Sequence, residues 1–284
     1  MRTILFLFAV LIFGLVSCGD SDTPPISVTD VTLTPASLNL IVGQTETLTA
    51  IITPSDAHNQ QKTWESSNNS IASVNNGQVT ANAPGTATIT VRTADGDFTA
   101  DAEITVILDP KTDEGVMIAD IRWATRNLDY PGTFAPYPHS VGRLYQWGTL
   151  NGETHHSAAT GTVTGWNSSD NRTAWTAAND PCPQGWRVPT EAELHSLNNV
   201  GSVWTQQNGV NGRLFGTAPN QLFFPAVGHR NTSGTLGAVD HVSHVWSSTA
   251  SGASNGWSLW LSSVISFVDA HNRAIGFSVR CVAE

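Results

Sequence analysis

The chain has 284 residues and a formal net charge of -10, from 23 Asp+Glu against 13 Lys+Arg. No basic block interrupts that balance, so nucleic acid and anionic lipid surfaces are poor partners. Charged residues make up only 13%, so Ser, Thr, Asn and Gly cover the surface, and the 10 tryptophans supply packed cores or aromatic binding surfaces.

Residues 1–17 read as a processing signal, to be kept out of the fold. "MRTILFLFAVLIFGLVSCG" has one basic residue, Arg2, and then an apolar run from Ile4 to Val16. That run is shorter than the roughly 20 residues a membrane-spanning helix needs. It ends in "LVSC" (Leu15 to Cys18), which resembles the bacterial lipobox. The resemblance implies cleavage before Cys18, lipid on its thiol, and an anchor of several acyl chains in the outer membrane. Residues 18–27 follow as an acidic, Pro-containing tether, and its "GDSD" resembles surface-export signals of Bacteroidota lipoproteins. With Cys18 lipidated, Cys182 and Cys281 are left to pair in an oxidising compartment; two free buried thiols are the alternative.

Residues 28–108 are short Thr/Val/Ile strands split by turns at Pro35, Gly43, Asn76-Gly77 and Pro84-Gly85, the pattern of a small β-sandwich. The stretch "TWESSNNSIASVNNGQVTANAPGTATITV" (Thr63 to Val91) resembles bacterial Ig-like domains of group 2. The resemblance implies a stalk with Trp64 in its core and no chemistry of its own. His58 lies in a polar loop with no partner at metal-ligand spacing. "DPKTDEG", residues 109–115, is a short charged linker.

Residues 116–284 hold nine of the ten tryptophans in Gly-, Asn- and Ser-rich loops between brief apolar runs, the texture of a loop-rich α+β domain. One helix is well signalled. In "RVPTEAELHSLNNVG", Thr190 can cap, Glu193 completes a capping box, and Leu194 and Leu197 share a face. A second short helix is expected around Ser202 to Asn208. Four pieces resemble the Fibrobacter succinogenes major paralogous domain, of C-type-lectin-like fold: "ATRNLD" (Ala124 to Asp129), "LYQWG" (Leu144 to Gly148), "DPCPQGWRVPTEAEL" (Asp180 to Leu194) and "GFSVRCV" (Gly276 to Val282). The resemblance implies that the terminal strands pair and that Cys182 bridges to Cys281. It gives Trp186 and Arg187 structural roles, as a core indole and a guanidinium tied to carbonyls or a carboxylate.

The last third, "NGWSLWLSSVISFVDAHNRAIGFSVRC", alternates as a strand, with Trp257, Leu259, Leu261, Ile265 and Phe267 inward and Ser258, Trp260, Ser262, Val264 and Ser266 toward water. It is similar to the ends of variable proteins served by diversity-generating retroelements. That likeness implies a scaffold of Trp246, Trp257, Leu259, Leu261, Ile265, Phe267, Arg273 and residues 276–281. The interleaved ligand-binding set would be Asp240, His241, Ser243, His244, Ser258, Trp260, Ser262, Val264, Ser266, Asp269, His271 and Ile275. Trp260, alone among serines, is then a binding residue, or else it packs beneath a neighbouring loop.

Enzyme chemistry finds little footing. Formylglycine-generating oxidases of related fold need a reactive cysteine pair, and Cys182 and Cys281 sit at disulfide positions. No GxSxG nucleophile motif occurs. His241 and His244 fall on opposite faces of a strand, His155-His156 has no matching carboxylate or Cys, and EPN-, QPD- and WND-like calcium motifs are missing, so no metal or other cofactor is implied. The expectation is a non-enzymatic, surface-exposed outer-membrane lipoprotein: an all-β Ig-like sandwich followed by an α+β lectin-like head. The head would bind an extracellular protein or glycan, and the membrane would be engaged only through the lipid. The alternative is a structural or tip component of a pilus or envelope assembly.

Overall fold

The computed structural model describes residues 24–154, 163, 166–169 and 172–284. The leader, Cys18 and His155-His156 lie outside the described residues. Strands dominate, and they fall into two packed regions along the chain.

In the first region, Asp30–Thr34 pairs antiparallel with Thr49–Thr53. A four-stranded sheet runs Ser37–Ile41, Thr99–Ile107, Gly85–Thr93, Lys62–Ser66, with its first pair parallel. A smaller sheet holds Thr45–Thr47, Gln78–Ala81 and Ala72–Asn75. Alternation explains the packing, since Ala87, Ile89 and Val91 of one long strand and Ala102, Ile104 and Val106 of its partner all point into one core. Trp64 is only partly buried, packed against that core. The Asn76-Gly77 hairpin works as the sequence predicts: both residues take positive φ, 48° and 85°, as a two-residue turn between paired Asn75 and Gln78 requires. The end of the tether is held rather than free, because Ile26 N–H donates to His58 Nδ1 at 2.8 Å and His58 N–H returns to the Ile26 carbonyl.

The charged segment at 109–115 is likewise pinned and is no free linker. The Asp113 side chain is 1% exposed and accepts from Gly115 N–H, Thr125 N–H, Thr125 Oγ1 and Arg126 Nε. Arg126 also donates to the carbonyls of Asp109, Thr112 and Ala135.

In the second region the helix is Glu191–Asn199, capped by Thr190, with Glu193 closing the box. Glu193 does more than cap, since Arg187 grips it through two N–H donors at 2.8 and 2.6 Å. Leu194 and Leu197 pack on Val245, Leu259 and Leu261. The segment expected to be a second short helix is instead the strand Ser202–Gln207, paired with Val210–Thr217. The reason is Asn208-Gly209, both at positive φ (48° and 79°), which closes a hairpin where a helix would need negative φ throughout.

The ends of this region meet: Trp123 pairs with Val282, and Trp186-Arg187 flank the other side of Val282–Ala283. A disulfide joins Cys182 to Cys281.

Replacing both cysteines by alanine opens a loop closed across 99 residues. The expected loss is about 4–5 kcal/mol in the chain-entropy account. Scanning calorimetry should show one transition falling steeply while that of residues 27–106 stays in place. An unchanged upper and lower transition would contradict a structural role for the bridge.

Candidate ligand-binding face

The face to be tested lies on an antiparallel sheet of Val242–Ser251, Asn255–Ser262 and Ser266–Asn272. Its register sets Val245, Leu259 and Val268 side by side, and His244, Trp260 and Phe267 side by side on the other surface. The first surface is apolar and lies on the helix. The second belongs to aromatic and imidazole rings.

Alternation correctly places Leu259 and Leu261 in the core, and then fails at the hairpin. Ser262 and Ile265 close the turn, through Ser262 N–H to the Ile265 carbonyl and Ser262 Oγ to the same atom. Leu261 therefore faces Ser266, and Phe267 faces Trp260 rather than Leu259. Ile265 is 50% exposed and no scaffold residue, while Phe267 joins the surface opposite to the one expected.

That second surface is mostly dry. Ser258 is fully buried beneath His271, with its Oγ 3.0 Å from Nδ1. His244, on the same surface, is 6% exposed, and Ser243, paired with Leu261 on the helix-facing surface, is buried too. These three residues of the expected ligand-binding set are out of a ligand's reach. Rings fill the space that water was expected to occupy. Trp260 lies parallel to His244 at 5.9 Å, His244 stacks on Phe277 at 4.1 Å, and Phe277 leans on Trp246 at 4.3 Å. Phe267 meets Trp260 edge-on at 4.7 Å. Trp260 is thus the half-buried outer layer of a stack, flanked by His244 and Phe267 of its own sheet.

Part of the accessible remainder gathers at the hairpin tip, while Asp269, His271 and Ile275 lie further along. Val264, 86% exposed, sits at the hairpin tip, and Val242 pairs with Ser262, which brings the Asp240-His241 turn beside it. Asp240, His241 and Asp269 are exposed; Trp260, Ser262, Ser266, His271 and Ile275 are half-buried. His241 lies in the exposed turn before the strand, and His244 is buried within it. No group of three or more His, Cys, Asp or Glu among the described residues is arranged to hold a metal ion.

Sequence reading placed Phe277 in the scaffold without its partners and missed His229 as a member of the stack. His229 meets His244 at 5.4 Å and Phe277 at 6.2 Å. Nothing in "AVGHRN" flags His229, whose position comes from a two-residue strand paired to Leu236–Gly237. Burial lowers the pKa of His229, His244 and His271, with the neighbouring imidazoles adding to the effect at the first two and Asp269 opposing it at His271. His244 moves furthest. The Nδ1 atoms of His229 and His244 and the Nε1 of Trp260 are shut from solvent without a hydrogen-bond partner.

Two outcomes follow from this geometry. Trp260→Ala should cost about 2 kcal/mol, short of the roughly 3–5 of a fully buried Trp, while Leu259→Ala should cost about 2–5. A thermal-melt series reads both, and a Trp260→Ala chain as stable as the parent would detach the indole from the stack. For pH, the three imidazoles have folded pKa values below the ordinary 6.5. Their contribution to stability is complete above that value and is lost as pH falls through the lower folded values, because the unfolded chain takes up the protons first. The melting temperature should therefore drop between about pH 7 and pH 5, and His244→Phe should flatten that drop. An identical slope in the variant refutes it.

Comparison with known proteins speaks to the first region. Residues 27–106 match the family of bacterial Ig-like domains, group 2. The chain is 40% identical over 83 residues to an Ig-like virion protein of Serratia phage KSP90, covering 28% of this chain and 32% of that protein. It is 38% identical over 103 residues to an uncharacterized protein of Clostridium acetobutylicum, covering 34% and 10%. It is also 36% identical over 148 residues to an alpha-L-arabinofuranosidase of Bifidobacterium longum subsp. longum, covering 51% and 13%. The chain spans a third or less of the length of each of these relatives. Among solved structures, domains 1-6 of the surface layer protein SbsC align with a TM-score of 0.27 at 11% identity, over 71% of this chain and 26% of that one. A likeness that slight assigns nothing. The segment 27–106 is thus similar to bacterial Ig-like domains of group 2.

Proposed function

We propose that this protein is a surface lipoprotein, held by lipid on Cys18, in which the Ig-like domain carries a lectin-like, non-enzymatic head that binds an extracellular ligand. The observation that carries the reading is the end of the hairpin. Val264 and Ile265 are exposed apolar side chains beside Asp240 and His241, on a sheet whose other surface is locked to the helix. Exposed apolar groups on a rigid support, rimmed by Ser262 and Ser266, have the anatomy of a small interface. The tip can change residue type without touching the core, which suits a face that varies among relatives. The lectin-like assignment is supported by the paired terminal strands and by the bridge from the segment before the helix to the final strand. No helix among the described residues is long and apolar enough to cross a membrane.

The test has two parts. Cys18→Ala should abolish palmitate labelling and move the chain to the soluble fraction; retained label removes the anchor. That unlipidated chain, applied to arrays of extracellular proteins and glycans, should give a discrete ligand. Val264→Asp should then weaken binding about tenfold or more, as loss of a central apolar contact does, with an unchanged melting temperature. Unchanged binding would take the tip out of the interface. The absence of any ligand would favour a purely structural role in a surface assembly.

A further inference from the structure

A cleft of about 390 Å³ opens beside the disulfide, away from the hairpin tip, and Cys182 forms part of its wall. That volume lies in the roughly 300–1,000 Å³ range of small-molecule sites. We propose that this cleft is a saccharide-binding site. It stands on its own chemistry and does not depend on the hairpin tip being an interface.

Two half-buried indoles border the cleft, Trp175 and Trp186. Each is braced from behind. Trp175 sets an edge against Trp147 at 5.7 Å and donates its Nε1 to the Asn179 carbonyl at 3.0 Å. Trp186 meets Phe134 edge-on at 5.6 Å. Rigid indoles at a solvent boundary suit the C–H face of a pyranose, which is apolar enough to stack yet ringed by hydroxyls.

The polar lining supplies what those hydroxyls need. Asp180 is oriented by the N–H groups of Cys182 and Val188, at 2.9 and 3.0 Å, and each carboxylate oxygen keeps a lone pair to spare. Arg187 is held flat by Glu193, which compensates its charge and leaves N–H donors over. Gln184 and Glu284 are exposed at the rim. Planar carboxylate, guanidinium and amide groups can each engage two neighbouring hydroxyls at once. The lining sets donors (Arg187, Gln184) and acceptors (Asp180, Glu284) beside the aromatic wall, and its two carboxylates against one paired guanidinium make a cationic peptide the competing occupant. A neutral polyol satisfies all of them.

The site is also pre-formed. Trp186 pairs with Ala283, Glu284 N–H donates to the Gly185 carbonyl, and the bridge ties the same loop to the final strand. Little ordering is therefore left for a ligand to drive.

The test uses the unlipidated Cys18→Ala chain, titrated calorimetrically with hexasaccharides of glucose, xylose, mannose and N-acetylglucosamine, and separately with hexa-arginine. At least one saccharide should bind with a dissociation constant below about 1 mM. Gln184→Ala should weaken it several-fold at an unchanged melting temperature. Trp186→Ala should weaken it about tenfold or more, with Trp186→Phe restoring most of the loss, which a folding defect in the alanine variant would not mimic. Failure of all four saccharides overturns the proposal, as does binding that survives both Gln184→Ala and Trp186→Ala. Binding of hexa-arginine alone overturns it in favour of a basic peptide. Saccharide binding that Val264→Asp abolishes and Trp186→Ala spares would also overturn it, while leaving the hairpin-tip reading intact.

Discussion

Buried guanidinium groups hold the second half of the chain together. Arg126, Arg230, Arg273 and Arg280 are all fully buried there, an unusual use of a residue that normally lies at the surface. The cause is the texture of the sequence. Strands of two or three residues joined by long loops leave many carbonyls without ladder partners, and a buried carbonyl must be satisfied somewhere. Arginine brings five donors in a fixed plane. Arg280 spends them on the carbonyls of Ala124, Thr125 and Phe223 and on Asn127 Oδ1. It therefore ties the final strand to both the opening segment and Asn220–Pro225. Arg273 gathers the carbonyls of Gly252, Ala253, Asn255 and Arg172 while lying over Trp147. Burial pushes the Arg280 guanidinium down to about 9, still above neutrality, so the charge persists and its polar partners are required.

That scaffolding explains why the second surface of the sheet is mostly dry as well. The Val242–Ser251 strand has the helix on one side, while Phe277 lies on the other, in a segment that Arg273 and Arg280 hold in place from either end. His244 and Trp246 fill the gap between sheet and segment, with the Trp246 Nε1 donating to the Tyr145 carbonyl at 2.7 Å. A serine at position 258 leaves room for the His271 ring. Ser258 is small because it is covered, which inverts the usual reading of a serine row.

This is where the sequence misled and where it spoke clearly. The capping box, the cysteine pair and the Asn76-Gly77 turn were legible because each is a local rule with few competitors: a cap, a count, a two-residue hairpin. Asn208-Gly209 was equally legible and was overridden by the helix expected around it. The phase of the strand was readable up to Leu261, since it depends only on alternation. Beyond the turn it depended on register, and a hairpin that pairs even with odd positions sends Phe267 to the Trp260 side. Which of the two surfaces stays wet was not legible at all. That depends on Phe277 and His229, brought in by long-range pairing from segments whose own sequence says nothing of the sheet they cover.

The tryptophans sharpen the point, because one residue type serves several ends in the same region. Trp123, Trp147 and Trp246 are sealed in the core, Trp175 and Trp186 wall a cleft, and Trp260 closes a stack. Partnering of the indole N–H does not separate these roles cleanly. Trp147 and Trp175 both donate to carbonyls although one is core and the other borders solvent. Trp123, deep in the core, lacks a partner just as Trp260 does. What does separate them is whether a ring is covered by elements that the fold needs for other reasons. Trp260 is flanked by His244 and Phe267, members of the sheet itself, so a ligand reaching its inner face would have to displace packed rings. Trp175 and Trp186 are braced from behind and open in front, so a ligand there displaces only water. On that criterion Ser258 is a packing device, and the cleft at the disulfide is a concave, aromatic-walled surface left open to a ligand.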